Sequence, residues 1–153
     1  MGLFDQFINV DIKKDMGIAG LTDEFFCVYL NNLFEKYNKN ILVVVNTLYE
    51  ANQLYSSLKN YNDKCYLFPM DDFLTSEALA ISPDLQITRL ETINEIVKNK
   101  PLIVIANLMG YLRFLPSKST YESFMLEIKV GNIISPQQLI SKLVSSGYKR
   151  DTL

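Results

Sequence analysis

The chain contains no histidine and no tryptophan, only two cysteines, and no strong excess of either charge. Each shortage removes a class of function. Without histidine there is no Ser-His-Asp or Cys-His catalysis, and no zinc site that uses imidazole. Cys27 and Cys65 form no CxxC pair and are too few for a disulfide framework. Their apolar surroundings suggest buried, reduced thiols. A formal charge of −2 argues against a chain built to neutralise nucleic-acid phosphates. No apolar run approaches the ~20 residues that span a bilayer. The opening segment, broken by Asp5 and Asp11, lacks the order of a signal peptide. Met1-Gly2 is followed by Gln6 where a myristoylation signal has Ser or Thr. These features favour a cytoplasmic protein with no membrane contact.

What is present suits a packed domain. The 153 residues are 48% hydrophobic and 21% charged, with no low-complexity tract. Residues 1–117 carry 10 Lys/Arg against 14 Asp/Glu, and residues 118–153 carry 5 against 3. That asymmetry hints at two units.

Hydrophobic spacing gives the element order. Thr22 is placed to cap a helix to about Tyr37, with Phe25, Phe26, Tyr29, Leu30, Leu33 and Phe34 on one face. "ILVVV" (41–45) reads as a strand covered on both faces. Residues 46–61 read as a helix with Leu48, Ala51, Leu54, Tyr55 and Leu58 inward. "CYLFP" (65–69) is a second strand, 70–83 is irregular, and a helix follows at about 84–98. Its apolar positions are Leu85, Ile87, Leu90, Ile93, Ile96 and Val97. "PLIVIA" (101–106) is a third strand and 107–116 a short helix. This alternation predicts an α/β unit, three layers around a mainly parallel sheet. "SKST" (117–120) reads as a linker, and 121–131 alternates like a half-exposed strand. Ser135 and Pro136 then start a helix that Gly147 stops. The expected domains are residues 1–116 and 117–153, the latter the start of a small α+β domain, cut short.

"GIAGLTDE" (17–24) carries the question of chemistry. Gly17 and Gly20 are spaced like phosphate-loop glycines, but a working loop also needs a lysine on the phosphates and a hydroxyl on magnesium. Thr22 stands where the last glycine belongs, Asp23 replaces the lysine and Glu24 the hydroxyl residue. Two carboxylates in the first turn stabilise the helix and repel phosphate, by about 1–4 kcal/mol each at ~4 Å. The strands end in Asn46 and Asn107, which offer no carboxylate for magnesium. The loop reads as degenerate, with no catalytic residue, no cofactor and no metal. Asp71 and Asp72 read as solvated turn residues, Arg89 as a structural partner of Asp84 or Glu77, and Arg113 as a surface arginine.

The order of "GIAGLTDEFF", "ILVVVNTLYEANQLYSSL", "YLFPMDDFL", "SPDLQITRLETI", "LIVIANLMGYLRFLP" and "LEIKVGNIISPQQLISKLVSSGYKR" resembles the N-terminal region of the bacterial transcription-repair coupling factor Mfd, from about residue 17 to 150. The resemblance implies a fold like that of the excision-repair helicase UvrB, with a degenerate phosphate loop that hydrolyses no ATP. It implies that translocation on DNA and RNA polymerase binding lie in other modules. It further implies that 117–153 begins a docking domain for the damage-recognition protein UvrA, with Lys149 and Arg150 as contact residues. Two other readings stand beside it: a P-loop NTPase or helicase acting on DNA, and a scaffold that restrains the motor by contacts within the full protein.

Overall fold

A computed structural model describes residues 14–72, 82–131, 133–149 and 151. The expectations for the N-terminal lead-in, for Glu77 and for Arg150 lie outside these residues. The chain divides into two compact units, with the break between Arg113 and Phe114.

The first unit is an α/β fold. Helix α1 (Asp23–Tyr37) leads into β1 (Ile41–Val45), α2 (Leu48–Lys59), β2 (Cys65–Phe68), α3 (Pro83–Val97), β3 (Ile103–Asn107) and the single turn α4 (Leu108–Tyr111). All three strands are parallel, in the order β1-β3-β2. The register pairs Val43 with Ile105, and Leu67 with the same Ile105 from the other side. β3 is therefore the central strand, and every one of its residues is buried.

Alternate strand residues point to opposite faces. One face presents Val43, Cys65, Leu67, Ile103 and Ile105 to Cys27, Leu30 and Phe34 of α1 and to Ala51 and Leu58 of α2. Leu58 is completely buried, a burial worth ~1.5–3 kcal/mol for such a side chain. The other face presents Tyr66, Phe68, Val104 and Ala106, with Leu102 just before β3, and Ile93 of α3 joins this group.

Several expectations change. β1 is an edge strand, and it is not covered on both faces: Leu42 and Val44 are 55% and 40% exposed. An uninterrupted apolar run matched a central strand, but α3 packs on β2, away from β1. Ile87, Leu90 and Ile96 are exposed for the same reason, and Thr92 is the buried residue of α3. Its hydroxyl donates to the Leu67 carbonyl. Phe25, expected on the inner face of α1, is exposed.

In the second unit, α5 (Lys118–Phe124) takes the place of both the expected linker and the first half of the expected strand. Ser117 Oγ accepts the Thr120 amide at 3.2 Å, a helix cap that outweighs the two-residue alternation. A strand needs a neighbour to satisfy its ladder, and among the described residues of this unit none is formed. Helix α6 (Pro136–Ser145) ends as expected at Gly147, whose φ of +92° suits glycine. The Tyr148 amide reaches the Leu143 carbonyl at 3.1 Å and the Gly147 amide the Val144 carbonyl at 3.0 Å, a complete Schellman closure. None of the unit's described residues is buried.

Candidate functional site

In open parallel sheets, ligands bind beyond the carboxyl ends of the strands. That edge here is made by Asn46 and Thr47 after β1, Pro69 to Asp72 after β2, and Asn107 closing β3. The first turn of α2 also opens onto it, with its free amides and positive dipole end.

Those amides are already engaged. Thr47 Oγ1 accepts the Glu50 amide at 3.2 Å, while Glu50 Oε2 accepts the amides of Asn46 at 3.0 Å and Thr47 at 3.4 Å. This is a reciprocal capping box. The Leu48 amide donates to both carboxylate oxygens of Asp72 at 2.9 Å. A phosphate approaching this turn would have to displace two carboxylates of the chain itself.

Asn107, with no exposed surface, joins this edge to the centre of the sheet. Its Oδ1 accepts the Met70 amide at 3.0 Å and the Gly110 amide at 3.3 Å. Its Nδ2 donates to the Met70 carbonyl and to Asp72 Oδ1, each at 2.7 Å. Gly110 fits because a Cβ there would lie 2.8 Å from the Phe68 carbonyl oxygen. Asp72 is thus a structural acceptor fixed by two donors, which corrects its reading as a merely solvated turn residue. An Asn at a strand end just before a helical turn is the signal for this network in the sequence.

Arg89 is structural: its guanidinium donates to the Pro69 carbonyl at 2.9 Å and contacts the Met70 sulfur. Burial lowers its pKa most, and the nearby Asp71 acts in the opposite direction. Asp71 and Asp72 therefore serve different neighbours.

The residues of the "GIAGLTDE" loop sit together before and at the start of α1. Gly20 has a φ of +84°, in the left-handed region that favours glycine. Nothing lies within 4 Å of where a Cβ would stand on Gly17 or Gly20, so neither is required by a close approach. Thr22 occupies the N-cap position, but its hydroxyl makes no capping bond. Asp23 and Glu24 lie in the first turn and line a cleft of about 550 Å³ between α1, the end of β1 and α2. Cys27 borders the same cleft, and its pKa is raised by burial first and then by these two carboxylates. Cys65 lies deeper, where burial pushes its thiol up to about 12. Both cysteines are free and buried, as expected.

Among the described residues, no cluster of His, Cys, Asp and Glu could hold a metal ion. No described helix is long and apolar enough to cross a membrane. Lys149 is exposed two residues past Gly147.

Comparison with known proteins gives one consistent result. The chain is 31% identical over 142 residues, 92% of its length, to the transcription-repair-coupling factor of Bacillus subtilis strain 168. It is 28% identical over 138 residues, 89% of its length, to the factor of that name from Staphylococcus aureus strain bovine RF122 / ET3-1. The factor of strain USA300 is 27% identical over an equal span. The chain spans 12% of the length of each of these curated relatives. No family model matches it, and no solved structure does.

Proposed function

We propose that this chain, a homologue of the transcription-repair-coupling factors that matches an N-terminal fragment of them, is a non-catalytic protein-interaction module. It binds no cofactor, and it helps link stalled RNA polymerase to nucleotide excision repair by recruiting UvrA. ATP-driven movement on DNA and polymerase binding belong to other modules of the full-length protein.

The observation that carries the non-catalytic reading is the filled turn at the start of α2. Its amides rest on Glu50 and Asp72, while Asp23 and Glu24 occupy the first turn of α1. A nucleotide would meet carboxylates at both helix starts and no lysine. This supports a degenerate phosphate loop at Gly17, Gly20, Thr22, Asp23 and Glu24. The interaction role draws on the second unit, where α6 is amphipathic and Ile140, Val144 and Tyr148 are exposed next to Lys149. An apolar patch beside a cation suits a protein partner. Lys149 and Arg150 are the proposed contact residues.

Calorimetry of UvrA binding tests this reading, with the present chain beside a version extended along the full-length sequence. Binding that is lost on Lys149→Ala with Arg150→Ala supports it. Binding by neither version refutes the UvrA assignment. ATP binding by the unaltered chain would restore the NTPase alternative. The intramolecular scaffold is favoured by one observation, the exposed Leu42 and Val44 of β1, which suit burial against more of the same polypeptide. Unaltered motor activity in full-length protein lacking this region would count against it.

A further inference from the structure

The cleft between α1 and α2 has a composition of its own. Its floor is apolar: Phe26, Val45 and Leu54 line it while packing against the main core. Its rim is acidic, with Asp23, Glu24 and Glu50, and among the described residues no lysine or arginine lines it. Among the described residues, neither Asp23 nor Glu24 is held in an ion pair. The Tyr49 ring stands on the same rim, 71% exposed, its hydroxyl accepting from Gln53 Nε2 at 3.1 Å. An exposed ring beside carboxylates favours a guanidinium, which can stack and pair at once. The charge excludes phosphates and acidic peptides, and the apolar floor gives no advantage to a small hydrated cation.

We propose that this cleft is a docking groove for a basic segment of a partner protein, one that places an apolar side chain on Phe26 and Leu54 and flanking arginines on Asp23, Glu24 and Tyr49. The proposal rests on the interaction-module reading, but not on the identity of UvrA. The groove is formed by elements of the first unit alone. It therefore makes a contact separate from that assigned to Lys149 and Arg150.

The test uses the full chain and a labelled, capped octapeptide alternating arginine and leucine, read by fluorescence anisotropy. Matched peptides carry glutamate in place of arginine, or glycine in place of leucine. Binding is expected for the arginine-leucine peptide alone, weakened about five- to tenfold by Asp23→Asn with Glu24→Gln, since two solvent-exposed ion pairs of modest strength are lost. Tyr49→Ala should weaken it further. Glu127→Gln in the second unit should change nothing. Three outcomes would overturn the proposal: no binding, equal binding of the arginine-glycine peptide, or equal weakening by Glu127→Gln. UvrA recruitment measured on the same variants separates the two ideas. Loss of peptide binding on Asp23→Asn with Glu24→Gln while UvrA recruitment persists leaves both sites standing. Peptide binding without any UvrA recruitment refutes only the UvrA assignment.

Discussion

Replacing Asn107 by alanine should be among the most costly single changes in the first unit. The side chain makes four hydrogen bonds from a site with no solvent exposure. Two of them satisfy the amide and the carbonyl of Met70, itself buried. Alanine would leave both groups without their partner, and an unsatisfied buried group costs ~1–3 kcal/mol. The Gly110 bond, at 3.3 Å, adds little, and Asp72 keeps its contact with Leu48. The expected loss is therefore about 3–5 kcal/mol, a large part of the ~5–15 kcal/mol that holds a domain together. Urea titration followed by far-ultraviolet circular dichroism and tyrosine fluorescence would measure it, since the chain has no tryptophan. A loss below about 1 kcal/mol would refute the argument, because it would mean that water or a shifted loop replaces the network at little cost. Asn107→Asp sharpens the test. It keeps the shape but turns the donor facing Met70 O and Asp72 Oδ1 into an acceptor. The new carboxyl would have a raised pKa in the folded state. The variant should thus be more stable at low pH and lose stability as pH rises, and a pH-independent defect would contradict this.

Other consequences can be checked alongside. Gly110→Ala should cost about 1–3 kcal/mol, because its Cβ would meet the Phe68 backbone oxygen at 2.8 Å; an unchanged melting temperature would show that the turn yields freely. Leu58→Ala, at a fully buried position, should cost ~2–5 kcal/mol in the same titration. The Cys65 thiol, raised from 9.0 to about 12 by burial, favours the folded state below pH 9. That contribution should fade as pH rises from 9 towards 12, and Cys65→Ala should flatten this part of the stability profile. A profile of unchanged slope would mean that the thiol ionises as easily folded as unfolded. Asp23→Lys should not confer ATP binding, because Glu24 still lies in the first turn of α1 and Asp72 still holds the Leu48 amide at the start of α2; nucleotide binding by that variant, seen calorimetrically, would show that the lysine alone was missing.

Much of the fold is legible in the sequence because it depends on neighbours along the chain. The 3.6-residue spacing of Tyr29, Leu30, Leu33 and Phe34 makes α1 amphipathic wherever it packs. The left-handed Asn38 and the positive φ of Gly147 end α1 and α6 locally. "ILVVV" forms a strand at the expected residues. The second unit is less legible in its sequence. Its alternation at 121–131 predicts a strand, but a strand is stable only against another, while the Ser117 cap acts within its own turn.

The acidic first turn of α1 is likewise legible from Asp23 and Glu24 alone, since charge at a helix start needs no tertiary partner to repel phosphate. By itself, then, the sequence determined the elements of the first unit, their parallel α/β order and the acidic helix start. Only the tertiary structure decided which strand lies at the edge, which leaves Leu42 and Val44 exposed, and that Asp72, 24 residues from Leu48, caps α2. The Asn107 network joins residues that are 35 and 37 positions apart, and the strand order pairs both Ile41 and Cys65 with the distant Ile103. Periodicity reports only local spacing, so such contacts appear once the chain has folded back on itself.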